Sequence, residues 1–215
     1  MYLVLCAATP FEIAPVKEFL DRERIREVEV LITGVGMMST AYALGRSIAG
    51  RRPDFLLQAG VAGCLDRNLP LTKVVMVEKE SIGDLGVEEQ GVFRSVFDLN
   101  LLAPDGKPWK QRKLCNDLGP LKSAGISTVD GVTVNEISTD SKRIGYYRNT
   151  LGASVESMEG AALHFVALEE EIPFLQLRSL SNFAGERDKS RWVLDAAIAH
   201  LNIELERIIT KLLNK

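Results

Sequence analysis

Cysteine and histidine are scarce in this chain, and their scarcity removes whole classes of chemistry. The three cysteines, Cys6, Cys64 and Cys115, are an odd set without CxxC spacing, which predicts neither a disulfide framework nor a redox pair. Cys6 lies in a strand-like run and reads as a small buried apolar residue. The two histidines, His164 and His200, fall in helical patterns and do not pair with Cys or Asp at metal-ligand spacing, so no metal and no cofactor is expected. No apolar run approaches the roughly 20 residues of a membrane span. The opening MYLVLCAATPFE is too short for a signal peptide and lacks a basic leader. Positive charge is not in excess either. The 26 Lys and Arg against 29 Asp and Glu leave a formal net charge of -3, which argues against a nucleic-acid footprint.

Several common motifs are missing too. Gly34-Val35-Gly36 begins a dinucleotide fingerprint, but position 39 is Ser, and the turn follows the second strand-like run, not the first. There is no GxxxxGK[ST], and Ser39 and Ser157 lack a GxSxG context. What remains is the profile of a cytoplasmic globular protein. With 215 residues, 46% of them hydrophobic, and no linker, repeat or low-complexity tract, one domain over residues 1–215 is expected.

The chain is organised around residues 152–191. An apolar strand is predicted at Ala153–Val155, and the run from Glu156 to Ala162 is predicted to open a helix that Pro173 stops. A buried strand, Phe174–Leu180, then ends in Ser181-Asn182. Earlier, Met1–Ala8 is a continuous apolar run, as in a strand covered on both faces. Thr9-Pro10 is predicted to open a helix that places Glu12 in its first turn. Val28–Thr33, a glycine turn and a helix from Met37 follow. A third strand, Phe55–Gln58, enters a small-residue turn at Ala59–Gly63. Further strands are predicted at Leu71–Lys79, near Val92–Phe97 and over 121–134, with interruptions at Gly125 and Asp130-Gly131. Helices are predicted near Ser141–Asn149 and after Asp188, the last with Ile198, Leu201, Leu205, Ile208 and Leu212 on one face. Strands alternating with helices predict an α/β fold with a central mixed, mostly parallel sheet in a three-layer α/β/α arrangement.

Two predicted strand ends thus deliver polar residues to one cleft, where α/β proteins usually place their chemistry. Glu159 can accept from two sugar hydroxyls at once, or simply occupy a helix's first turn beside Glu156. Asn182 can pair with the carbonyl and ring nitrogen of a base, or terminate a strand. Glu12 can take a proton from water, or be solvated on a surface helix. From the residues alone, these alternatives stay open.

The run Val155-Glu156-Ser157-Met158-Glu159-Gly160-Ala161-Ala162, followed by Leu177-Arg178-Ser179-Leu180-Ser181-Asn182, resembles the nucleoside phosphorylase and nucleosidase superfamily. The amino-terminal strand leading to Glu12 and the Ala59–Leu65 segment match the same pattern, so the resemblance covers nearly the whole chain. Within it, the chain looks like the futalosine hydrolases of the alternative menaquinone pathway. The carriers are Ser157–Ala162, Ser181-Asn182, Gly185-Glu186-Arg187-Asp188, Trp192, Thr133-Val134-Asn135 and Asp84-Leu85-Gly86. The related methylthioadenosine/adenosylhomocysteine nucleosidases carry Asp where this chain has Asn182, and usually Glu where it has Ser157. An amide at 182 suits the 6-oxopurine hypoxanthine.

This resemblance implies N-ribosidic hydrolysis through an oxocarbenium-like transition state. It gives Glu12 and Asn182 catalytic roles, the first activating water and the second holding the base. Met158, Glu159, Ser157, Gly60, Val134 and Ile137 are assigned to substrate, with Val134–Ile137 as a wall against the base. Arg178 and Ser181 are assigned supporting roles behind them. The 5′ carboxylate of futalosine needs a cation, for which Arg94, Arg143 and Arg148 are candidates. A homodimer or larger homo-oligomer is implied. A phosphorylase, a nucleosidase for inosine-like or methylthio-nucleosides, and a non-enzymatic nucleoside-binding module are the alternatives.

Overall fold

The computed structural model describes residues 1–119 and 125–213. Strand β1 (Leu3–Ala7) is buried at all five positions, because helices cover both of its faces. Leu3, Leu5 and Ala7 pack with Val16 and Leu20 of α1 (Ala14–Arg22) and with Leu201, Leu205 and Ile208 of α5 (Leu194–Leu213). Val4 and Cys6, pointing the other way, pack with Leu44 of α2 (Met37–Gly50) and Leu163 and Ala167 of α4 (Gly160–Glu169). The period-2 alternation of a strand is what assigns each side chain to its layer. The α5 face reads as predicted, with Ile198, Leu201, Leu205 and Ile208 buried.

The remaining strands are β2 (Val28–Ile32), β3 (Phe55–Cys64), β4 (Val74–Ile82), β5 (Gly86–Glu89), β6 (Val92–Ser95), β7 (Trp109–Lys110), β8 (Lys113–Cys115), β9 (Ser127–Thr133), β10 (Val155–Ser157) and β11 (Phe174–Phe183). Helix α3 (Ser141–Asn149) starts where Asp140 accepts from the Lys142 and Arg143 amides. The main sheet runs β2-β1-β3-β10-β9-β4-β8-β7. The pairs β1–β2, β1–β3, β3–β11, β9–β10 and β4–β9 are parallel, and the others antiparallel. The predicted mixed sheet between helical layers is therefore present. In addition, β11 pairs with both β3 and β4, which closes β3, β10, β9, β4 and β11 into a ring. Strands β5 and β6 form a separate hairpin. No helix among the described residues is long and apolar enough to cross a membrane.

Several boundaries differ from the sequence reading, for physical reasons. The small residues Ala59–Gly63 continue β3 instead of turning, because buried polar side chains lie directly against them. Asp130-Gly131 does not interrupt β9, since Gly131 makes room for Glu80, whose carboxylate would lie 2.7 Å from a Cβ there. Residues 121–124 of that predicted strand lie outside the described residues. Glu156 and Ser157 belong to β10, and α4 starts only at Gly160.

Candidate active site

The carboxyl ends of β1, β3, β10 and β11 surround a cavity of about 300 Å³. Glu12 enters it from a short 3-10 turn, Pro10–Ile13, placed by the end of β1. Its side chain is 7% exposed, and each oxygen is held. Oε2 accepts from the Thr9 amide at 3.1 Å and the Thr9 hydroxyl at 3.0 Å, and Oε1 accepts from the Val61 amide at 3.0 Å. A carboxylate has about four acceptor positions, so one is left for a molecule in the cavity. The turn itself is tied down by Asn202 of α5, whose amide nitrogen donates to the Glu12 carbonyl while its oxygen accepts from the Val16 amide.

Glu159 stands opposite, at the start of α4. Its Oε1 accepts from the Gly36 amide at 3.1 Å, and its Oε2 lies 3.4 Å from Arg178 Nη1. Gly36 caps α2 with φ at 93°, a conformation glycine adopts without strain. The Gly34-Val35-Gly36 turn thus presents a helix N-terminus to a carboxylate, not to a dinucleotide.

Behind Glu159 lies a buried polar chain. Arg178, 1% exposed, donates to Gln176 at 2.9 Å and to Gln58 at 3.0 Å. Gln176 in turn donates to Glu80 at 2.8 Å, and Glu80 also accepts from the Thr133 hydroxyl at 2.9 Å. The Thr133 oxygen accepts from the Ala161 amide at 2.8 Å. Both Glu80 oxygens therefore only accept, which suits the ionised form. Burial nonetheless pushes the Glu80 carboxyl up to about 7, with the Gln176 and Thr133 hydrogen bonds and the Arg178 charge pulling the other way.

Asn182 reaches the cavity because β11 bulges. The register with β3 shifts between Leu180 and Asn182, so Asn182 stands opposite Gly63. Bulges of this kind re-aim side chains. The Ser181 hydroxyl donates to the Asn182 side-chain oxygen at 2.8 Å, and the Asn182 amide nitrogen donates to the Phe183 carbonyl at 3.1 Å. Ser157 lines the cavity and also accepts from the Gly160 amide at 3.3 Å. Ile137 reaches the wall on a loop gripped by Asp84, which accepts from the Asn135 and Glu136 amides.

Of the predicted residues, Glu12, Asn182, Met158, Glu159, Ser157, Ile137 and Ser181 line the cavity, and Arg178 lies behind it. Two predicted substrate contacts do not. Gly60 faces Arg178 and Glu12, and a Cβ there would lie 2.5 Å from Arg178 Nη1 and 2.9 Å from Glu12 Oε1. Val134 is fully buried in a cluster with Leu65, Val132, Tyr147 and Ala153. Arg94, Arg143 and Arg148 are also away from the cavity. Arg143 pairs with Glu88 and stacks on Phe93. The cation at the wall is Arg187, 5.8 Å from the Trp192 ring centroid.

Four participants escaped the sequence reading. Asn202 was detectable as a lone polar residue on an apolar helical face, and Gln176 and Glu80 as polar residues inside apolar strands. In the sequence Glu156 reads as half of a helix's first turn. It is a 5% exposed strand residue lining the cavity, and its Oε2 has no hydrogen-bond partner among the described residues.

Known proteins of similar sequence and fold are nucleosidases. A futalosine hydrolase from Thermus thermophilus is 30% identical over 192 residues, 84% of this chain and 80% of that protein. A 5′-methylthioadenosine/S-adenosylhomocysteine nucleosidase from Geobacillus kaustophilus is 29% identical over 173 residues, 74% of this chain and 68% of that protein. The fold is that of a solved futalosine hydrolase from Helicobacter pylori, with a TM-score of 0.82 at 17% identity and 98% of each chain covered. Residues 22–214 match the family model of the phosphorylase superfamily, and the chain belongs to that superfamily.

Proposed function

We propose that this protein is a nucleosidase that hydrolyses the N-ribosidic bond of futalosine, releasing hypoxanthine and dehypoxanthinyl futalosine. The observation that carries the reading is the Glu12 carboxylate, pinned by three donors at the wall of a cavity it shares with Met158, Glu159 and Asn182. Glu159 accepts from the ribose hydroxyls, and Met158 packs against the sugar. Glu12 orients water at the anomeric carbon and takes its proton. The Asn182 amide holds the base and stabilises the charge that builds on it as the bond breaks, which helps only as far as it strengthens in the transition state. Ser181 fixes that amide's orientation. Water is favoured over phosphate because the carboxyl groups of Glu12, Glu156, Glu159 and Glu186 line the cavity, and like charges repel an anion placed among them. The guanidinium of Arg178 is already engaged with Gln58, Gln176 and Glu159.

Arg187 is assigned to the 5′ carboxylate of the substrate. Arg187→Gln is expected to raise KM for futalosine about tenfold, the order of one charged hydrogen bond, and to leave KM for inosine within about twofold. Steady-state kinetics on the two substrates checks this; an equal change in both removes Arg187 from that role. Gly60→Ala tests how the two charged groups are positioned. Its methyl must displace Arg178 or Glu12, so kcat/KM is expected to fall about 10–100-fold. Activity within about twofold of the parent means those groups need no such placement.

The enzyme is assigned to the cytoplasm, to the alternative menaquinone pathway and to a homo-oligomeric state. Exposed Val35, just before α2, and Met38 and Tyr42, in its first two turns, support an association face there, and light scattering on the purified protein tests this. The functional test is incubation with futalosine, inosine and methylthioadenosine, each with and without phosphate, followed by chromatography of base and sugar. Adenine release from methylthioadenosine with futalosine untouched would assign the chain to the methylthioadenosine-type nucleosidases. Turnover only with phosphate would make it a phosphorylase.

A further inference from the structure

Glu156 is given no contact with substrate above, yet it is buried at the cavity wall with an unsatisfied oxygen. The sheet register says where it stands. Gly63 of β3 is paired on one side with Glu156 of β10 and on the other with Asn182 of β11. Residues paired across neighbouring strands project from the same face, and all three line the cavity. The central position carries no side chain, so Glu156 and Asn182 flank an open slot. Strands lie about 4.7–4.9 Å apart, which separates β10 from β11 by about 10 Å there. A planar bicyclic base lying over Gly63 in the cavity can take one hydrogen bond from each flanking side chain. A Cβ at Gly63 would stand 3.8 Å from Glu156 Oε1 and 3.7 Å from Ala184, in ordinary contact with both, so only a side chain longer than alanine would reach into the space over it.

We propose that Glu156 is the residue that selects a 6-oxopurine, its carboxylate accepting the N1–H of the base while the Asn182 amide donates to O6 or N7 from the other side. This rests on the nucleosidase reading and adds to it the source of base specificity. An ionised carboxylate only accepts. A 6-oxopurine presents N1–H to it, whereas a 6-aminopurine presents an N1 lone pair, which leaves the buried oxygen unpaired and repelled. Burial holds the Glu156 carboxyl up at about 7, opposed by a hydrogen bond from the Ser138 backbone and reinforced by the Asp84 charge, so the selection belongs to pH above that value, where the group is ionised, and is tested there. Its Oε2 lacks a donor in the free protein, and the N1–H supplies one. A site built to hydrogen-bond a particular N–H rejects the analogue without it strongly, because its own buried group is left unpaired.

The test compares binding of hypoxanthine, 1-methylhypoxanthine and adenine to the parent protein and to Glu156→Gln, by calorimetry or competitive inhibition. The parent is expected to bind hypoxanthine at least about tenfold more tightly than either of the other two. In Glu156→Gln, whose amide both donates and accepts, the preference over adenine is expected to shrink to within about threefold. A parent protein that binds hypoxanthine and 1-methylhypoxanthine equally overturns the proposal without any variant. So does a folded Glu156→Gln protein that keeps the full preference over adenine. Failure of every purine base to bind overturns the nucleosidase reading and this proposal with it, whereas binding without an N1–H preference overturns this proposal alone.

Discussion

Glu12→Gln is expected to lower kcat for nucleoside hydrolysis by about 10²–10⁴-fold, the range over which a positioned general base contributes, with KM changed by less than about threefold. The split follows from geometry. The three groups that hold Glu12, the Thr9 amide, the Thr9 hydroxyl and the Val61 amide, lie on the protein side, so substrate contacts elsewhere are untouched. A glutamine fills the same volume but has one acceptor atom where Glu12 uses two. Whichever way its amide turns, an N–H faces the Thr9 or Val61 amide, so a loss of about 1–3 kcal/mol of stability accompanies the loss of the base. Thermal unfolding measured alongside the kinetics separates the two effects. A variant that keeps kcat within about threefold removes Glu12 from water activation.

The largest stability effect is expected at Arg178. Arg178→Met removes the cation from a buried chain and leaves Glu159 charged at 6% exposure, with Gln58 and Gln176 each losing a donor. Breaking a buried pair by removing one partner costs about 3–5 kcal/mol, which for a chain of this size lowers the unfolding temperature by about 10 °C. Adding Glu159→Gln is expected to restore part of that loss, because the orphaned charge is gone. The double variant then falls short of the sum of the singles, the signature of direct coupling. Additive losses, or a drop below about 2 °C for Arg178→Met, contradict the assignment of Arg178 as the counter-charge of Glu159.

Much of this architecture is legible in the residues, because it rests on local periodicity. The buried run at β1, the strand–glycine–helix unit ending in α2 and the apolar face of α5 all follow from alternation or from three-and-four spacing. What periodicity does not carry is pairing between distant strands. That β11 joins both β3 and β4, closing a ring, depends on residues some 100 positions apart. The misread turn at Ala59–Gly63 has the same origin. Small residues there signal close approach, and at Gly60 what approaches is the Arg178 and Glu12 side chains, not a turn. Glu159, Asn182 and Glu12 were placed by motif resemblance, since each had an equally good structural reading alone. Glu156 reads from the sequence as a helix's first-turn residue, because no local signal separates the end of β10 from the start of α4 at Gly160. Val134 follows directly on the end of β9 and packs into the core with Leu65, Val132, Tyr147 and Ala153, a placement set by distant elements that no local signal carries.

The central claim is that water, held by Glu12, attacks the anomeric carbon. The most direct measurement is turnover of futalosine in ¹⁸O-labelled water, with and without phosphate, and mass spectrometry of the sugar product. The account predicts hypoxanthine release without phosphate and one labelled oxygen at the anomeric hydroxyl. A sugar 1-phosphate formed only when phosphate is present, with no label at that carbon, would contradict it.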